Sequence, residues 1–133
     1  MTVLDTSGAV DFLLGAGVAA EVRSLMEREG ELAAPDLLVF EVLAVLRRQT
    51  LGKELTPARA ASAVEDLGAL AVELLPSLPL RERAWALRAN LTAADGLFVA
   101  LAELLDEPLA TKDSALAREA RKHANVEVVH LGS

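Results

Sequence analysis

Leu91-Thr-Ala-Ala-Asp95-Gly-Leu-Phe-Val-Ala-Leu-Ala-Glu-Leu-Leu-Asp-Glu-Pro108-Leu-Ala-Thr-Lys-Asp113 is the stretch on which the fold turns. Asp95, Phe98, Val99, Ala102 and Leu105 fall at the i, i+3, i+4, i+7 spacing of one helical stripe, so an acid heads a face that is otherwise apolar. Such a face packs inward and carries the carboxylate with it. Pro108 cannot continue a helix, because it lacks an N–H and its ring clashes with the preceding turn. Leu109-Ala110-Thr111 then reads as a short buried strand that delivers Asp113 at its far end. A helix leading into a buried strand is the repeating unit of an α/β chain, and here each element presents one carboxylate. Both acids also have a purely local reading. Thr92 and Asp95 have the spacing of a helix-capping box, and Asp113 ahead of Ser114-Ala-Leu-Ala-Arg-Glu-Ala has the form of an N-cap. A functional role for either depends on whether further acids arrive at the same place.

Working outward to the N-terminus, Thr2-Val3-Leu4 reads as a strand and Asp5-Thr6-Ser7-Gly8 as a turn. Residues 9–14 have a brief helical pattern, and after the Gly15-Ala-Gly17 break a second helix is expected over residues 18–28, burying Val22, Leu25 and Met26. Gly30 stops it, and residues 31–34 form a second strand ended by Pro35. Asp36 is an N-cap candidate for Leu37-Leu-Val-Phe-Glu41-Val-Leu-Ala-Val-Leu46-Arg-Arg, which is apolar almost all round and is expected to be mostly buried. A buried, unpartnered carboxylate costs on the order of several kcal/mol. Glu41 therefore requires compensation, either from Arg48 on the same helix face or from a metal ion or shared site.

Thr56-Pro57 signals an N-cap and N1 proline for a helix through residue 67, stopped by Gly68. Residues 71–75 read as a third strand closed by Pro76. Residues 80–89 read as a helix in which Trp85 packs in the core or at a dimer interface. Residues 114–123 form the last helix and residues 126–131 the last strand.

This alternation predicts one domain, residues 1–133, built as a three-layer α/β/α sandwich around a central parallel sheet of four to five strands with right-handed crossovers. Ligands of open sheets of this type bind beyond the carboxyl ends of the strands. Asp5 and Asp113 follow strand runs at that edge, Asp95 opens the helix that feeds the Asp113 strand, and Glu41 lies in a helix packed on the sheet. Four acids without an equal number of bases are poorly explained as ion pairs.

Composition narrows the chemistry. With 133 residues the chain is long enough to bury a proper core. No apolar run approaches the ~20 residues that span a bilayer and the N-terminus lacks the pattern of a secretion signal, so a soluble, cytoplasmic protein is expected. The absence of cysteine removes disulfides, zinc thiolates and thiol nucleophiles, and the only imidazoles, His123 and His130, lie near the C-terminus and read as structural or solvated, so no His-based triad or zinc site is expected. A formal net charge of −7 opposes loose electrostatic binding to nucleic acid. Phe12, Phe40 and Phe98 sit in apolar runs and tyrosine is absent, so no RRM- or OB-like stacking platform is visible. Lys53, Arg59, Arg47, Arg48 and Lys112 are candidate phosphate contacts.

Carboxylates without His or Cys suit a hard, oxygen-seeking cation, Mg²⁺ or Mn²⁺, and a pair of such ions about 3.5–4 Å apart can drive phosphodiester hydrolysis by an activated water. The segments Val-Leu-Asp5-Thr-Ser7, Pro-Asp-Leu-Leu-Val-Phe-Glu41-Val-Leu, Ala-Asp95-Gly-Leu-Phe-Val-Ala-Leu-Ala-Glu and Leu-Ala-Thr111-Lys-Asp113 together resemble the PIN domain. Their order, spacing and chain length are most similar to VapC-type toxins of bacterial toxin–antitoxin pairs. The resemblance implies a homodimeric, Mg²⁺- or Mn²⁺-dependent ribonuclease in which Asp5, Glu41, Asp95 and Asp113 form the acidic quartet and Ser7 and Thr111 assist it. It also implies a VapB-like antitoxin whose C-terminal segment covers the groove. Gly96 departs from the pattern, where Ala is more usual, at a cost to the helix of roughly 0.5–1 kcal/mol. Two other readings keep the fold and change the role: a binding or scaffold subunit without catalysis, and a nuclease acting on DNA or on a particular nucleic-acid structure.

Overall fold

Five short strands lie parallel in the order β3-β2-β1-β4-β5. In this computed structural model, which describes all 133 residues, they are β1 (Val3–Leu4), β2 (Leu32–Pro35), β3 (Val72–Leu75), β4 (Leu109–Thr111) and β5 (Val128–His130). The order sets β1 at the centre: the chain first builds outward through β2 and β3, then returns to the other side of β1 for β4 and β5. Val3 pairs with Ala33 on one side and with Leu109 on the other. The reversal between β1 and β4 is the topological switch point, where side chains beyond the strand ends surround a crevice.

Seven helices complete the α/β/α sandwich: α1 (Thr6–Leu14), α2 (Ala19–Glu29), α3 (Leu37–Leu51), α4 (Pro57–Leu67), α5 (Arg81–Ala86), α6 (Ala93–Leu105) and α7 (Ser114–His123). Helix α6 packs across β1, β2 and β4 with α5 against it, while α1 gathers α2, α3 and α4. The α6 stripe is buried as its spacing predicts, through Phe98, Val99 and Ala102, with Leu105 partly buried. β1 and β4 have no exposed surface at Val3, Leu4, Leu109, Ala110 or Thr111, the signature of strands covered on both faces. No helix is long and apolar enough to cross a membrane.

Several local expectations are corrected. Asp5-Thr6-Ser7-Gly8 is not a turn: the Asp5 carboxylate accepts the Gly8 N–H at 3.1 Å and starts α1 one residue after the strand. Satisfying that free donor lets the helix begin at once. Asp36 does not cap α3, since its carboxylate accepts the Ser77 hydroxyl at 2.5 Å instead. The anticipated helix over residues 80–89 is split into a 3₁₀ turn (Leu78–Leu80), α5 and a run of turns. Helix α3 is not mostly buried: Leu38, Val42 and Leu46 face the core, whereas Val39, Phe40 and Leu43 are exposed. Trp85 is not in the core either, with 68% of its surface exposed. By contrast, Thr56 caps α4 through the Arg59 N–H, as Thr-Pro predicts.

Gly96 has a packing reason that sequence does not reveal. A Cβ added there would stand 3.2 Å from the Ala84 carbonyl oxygen and 3.3 Å from its Cα, so glycine lets the α5 backbone settle onto α6.

Candidate active site

Asp5 leaves the end of β1 at the switch point, and its position is fixed atom by atom. Oδ1 accepts the Ser7 hydroxyl at 2.7 Å and the Gly8 N–H; Oδ2 accepts the Thr111 hydroxyl at 2.5 Å. Thr111 is fully buried at the end of the neighbouring strand β4, so two adjacent strand ends are joined through one carboxylate. Burial pushes the Asp5 carboxyl above its ordinary range, the hydroxyls and the Gly8 N–H oppose that, and the nearby Asp113 charge adds to it.

Asp113 follows β4 as the N-cap of α7, accepting the Ala115 and Leu116 N–H groups at 2.9 and 3.2 Å. Its own N–H donates to Thr111 Oγ1 at 3.0 Å, so this buried hydroxyl binds one acid through its proton and positions the backbone of the next. The local reading and the site reading of Asp113 therefore coexist in one residue. The same holds for Asp95: its N–H donates to the Thr92 hydroxyl, the cap of α6, while its carboxyl feels the charges of the other three acids. Burial first, offset in part by Thr92, and then repulsion from Asp113, Asp5 and Glu41 lift the Asp95 pKa to about 6. All four predicted acids thus fall within one electrostatic neighbourhood.

Glu41 lacks one of its two expected compensations, the pair with Arg48. It is half-buried on α3, and its partner is the Thr6 hydroxyl at 2.6 Å, with no ion pair to Arg48. Because Thr6 lies between Asp5 and Ser7, the first turn of α1 holds two of the four acids. Sequence reasoning missed Thr6, for nothing in a lone threonine marks it as a partner for an acid 35 positions away. It also missed Asp11, a buried acid in an apolar helical run, which is the same signal that singled out Glu41. Asp11 grips the Lys112 ammonium with both oxygens at 2.9 Å and accepts the Val18 N–H. Lys112 is therefore already paired, and Arg59, donating to the Leu13 carbonyl at 2.8 Å, is likewise engaged; neither stands free as a phosphate contact.

The donor set is all oxygen: four carboxylates with hydroxyls beside them. Such a set suits Mg²⁺ or Mn²⁺, and the repulsion that raises Asp95 is what a divalent cation relieves. No three of the acids are drawn together into a ready-made cation cage. Mg²⁺ does not require one, because it keeps several waters and takes only one or two protein carboxylates directly.

A parallel α/β/α fold with acids converging on its switch point defines the class, and the sequence model of the PIN domain matches residues 2–122. The chain belongs to the PIN domain family. Ribonuclease VapC1 of Mycobacterium tuberculosis is 42% identical over 116 residues, covering 86% of this chain and 87% of that protein. Ribonuclease VapC12 of the same species is 34% identical over 129 residues, 97% of this chain and 99% of the relative. VapC ribonuclease Mb0985 of Mycobacterium bovis is 37% identical over 129 residues, 97% of this chain and 98% of its own length.

Proposed function

We propose that this chain is a Mg²⁺- or Mn²⁺-dependent endoribonuclease and the toxin member of a VapBC-type toxin–antitoxin pair, acting on cytoplasmic RNA. The observation that carries the reading is the gathering of carboxylates: Ser7 and Thr111 hold Asp5, the same Thr111 hydroxyl holds the Asp113 backbone, and burial with the charges of Asp113, Asp5 and Glu41 raises the Asp95 carboxyl. Unrelieved like charge of this kind is costly, and it gathers where a cation or substrate supplies the missing counter-charge. The kinship with proteins named VapC ribonucleases supports RNA as the substrate.

Asp5, Asp95, Asp113 and Glu41 would hold the ion. When bound, a divalent cation lowers the pKa of a water and neutralises charge developing on the scissile phosphate. The chain supplies position. Ser7 and Thr111 engage both oxygens of Asp5 and so fix the direction of its remaining lone pairs, and Thr6 does the same for Glu41. Without a cation, these acids repel an RNA phosphate; the site is closed to substrate by its own charge.

A homodimer is part of the proposal. Val39, Phe40 and Leu43 on α3 and Val64 on α4 form an exposed apolar strip, with a cavity of about 390 Å³ between the two helices. Such a strip is an expected interface for a second copy. The antitoxin is expected to bring a basic side chain to the acids.

The test is RNA cleavage by Asp5→Asn and Asp95→Asn chains beside the parent. Loss of cleavage in both, with unchanged circular dichroism, supports the reading. Full activity in both removes the acids from the chemistry and the reading with them.

A further inference from the structure

Thr92 belongs to two neighbourhoods. Its hydroxyl caps Asp95, and its chain also lines a cavity of about 430 Å³ between α5 and α6. The cavity is of ordinary ligand-binding size. Leu91 and Leu97 give it an apolar wall, whereas Trp85, Arg81 and Arg88 are exposed and form its rim. Trp85 is the only tryptophan in the chain. Its indole is 68% exposed, and the Arg88 Cζ lies 4.7 Å from the ring centroid. No carboxylate pairs with Arg88, and Arg81 has only exposed Glu82 at 3.9 Å. Each guanidinium makes one exposed, local bond, Arg81 to the Leu78 carbonyl at 3.0 Å and Arg88 to the Trp85 carbonyl at 3.1 Å, which leaves its other N–H groups facing solvent; two such arginines beside an exposed indole stand out on a chain of net charge −7.

We infer that this cavity is a nucleotide subsite, in which Trp85 stacks on a base of single-stranded RNA flanking the cut and Arg88, with Arg81, pairs with the adjacent phosphate. The inference rests on the ribonuclease reading above and deepens it. Thr92 and Asp95 are three residues apart, about 4.5 Å of helical rise, so the edge of the cavity that Thr92 lines adjoins the acids, and a strand seated in the cavity would run on toward them. An aromatic face accepts any base, and a guanidinium stacked on that face binds phosphate without giving up the stack. Phosphate pairing at this rim also offsets the repulsion that the acids exert on RNA. The apolar wall and the cationic rim match the two halves of a nucleotide.

Because Trp85 is unique, its fluorescence reports on this cavity alone. A single-stranded ribo-oligonucleotide and a base-free ribose-phosphate oligomer of equal length are titrated into the Asp95→Asn chain in Mg²⁺. Saturable quenching by the first and not by the second is the expected result. Trp85→Ala should weaken RNA binding by about 5- to 150-fold, Trp85→Phe by less, and Arg88→Ala should reduce the salt slope of binding by about 1, with thermal unfolding unchanged in all three. Equal quenching by the base-free oligomer overturns the stacking role. A silent Trp85 in protein that binds RNA, together with equal RNA cleavage by the parent and Trp85→Ala chains, overturns the subsite and leaves the ribonuclease reading intact. Absence of any RNA binding and any cleavage overturns both. Emission that follows protein concentration and ignores RNA assigns the cavity to a second copy of the chain, which also overturns the inference.

Discussion

Thr111 shows how much one hydroxyl can organise. Fully buried, it donates to Asp5 and accepts from the Asp113 N–H, so a single oxygen ties together two acids that lie more than a hundred residues apart. Thr111→Val keeps the shape and removes both bonds. Partners of this type typically govern metal affinity or activity by 10- to 100-fold, and a loss of that size in metal-dependent cleavage is expected, with the concentration of Mg²⁺ needed for half-activity rising. Asp95 makes a second residue-scale prediction. Its pKa is raised from 3.8 to about 6 by burial and neighbouring acids, so the folded state holds the proton more tightly than the unfolded chain. Well below the unfolded value of 3.8 both states are protonated and there is no penalty. As pH rises through 4 to 6 the unfolded chain ionises first, stability falls, and above pH 6 the penalty is complete. Asp95→Asn removes that penalty. In EDTA, denaturant unfolding should show the variant more stable than the parent by roughly 1–3 kcal/mol at pH 7.5, with the difference vanishing as the pH falls to about 3. At this scale the sequence was legible where chemistry is stated by residue type and place. Asp5, Asp95 and Asp113 stand beside strand ends and at a helix start in the sequence as in the structure. The partners were not legible: Thr6 for Glu41 and Asp11 for Lys112 follow from how α1 meets α3 and the β4 end, which no local pattern encodes.

Elements were legible where their packing is one-sided or complete. The α6 stripe and the fully buried β4 run could be read from spacing alone, since tertiary structure only confirms what periodicity requires. Reading failed for α3, whose apolar residues surround the helix while only Leu38, Val42 and Leu46 meet the core. Apolar composition cannot distinguish burial within one chain from burial against a second. It failed again at the start of α1, whose first turn reads as a non-helical turn, and before α6, where residues 80–89 read as one helix. In both places the chain is short, and a cap or a 3₁₀ turn outweighs average propensity. Gly96 belongs here as well. In an open helix, Gly→Ala brings about 0.5–1 kcal/mol. At Gly96 the added methyl meets the Ala84 backbone at 3.2 Å. Gly96→Ala should therefore yield no gain in thermal stability and should shift α5, detected as an altered Trp85 emission spectrum. A gain near 1 kcal/mol with unaltered Trp85 emission would show that α5 does not need the close approach.

At the scale of the whole molecule, charge and apolar surface are segregated. The acids gather near the ends of β1 and β4, Arg81 and Arg88 stand at the α5–α6 cavity, and exposed apolar side chains lie along α3 and α4. On the proposed reading, catalysis, substrate contact and self-association would use different surfaces. Phe40→Glu places a charge on the exposed apolar face of α3, and the proposed homodimer predicts that sedimentation finds the parent dimeric and the variant shifted toward monomer; a monomeric parent contradicts the homodimer, and a dimeric variant contradicts this contact. The central claim is that the converging acids make a metal-dependent ribonuclease, and its most direct measurement uses the purified full-length chain and a mixed RNA pool. Cleavage is followed in EDTA, then with Mg²⁺ or Mn²⁺ restored, beside Asp95→Asn prepared identically. The account predicts intact RNA in EDTA, discrete cuts when either metal is restored, and intact RNA with Asp95→Asn under every condition. Cleavage that persists in EDTA, or that Asp95→Asn retains in full, would contradict it.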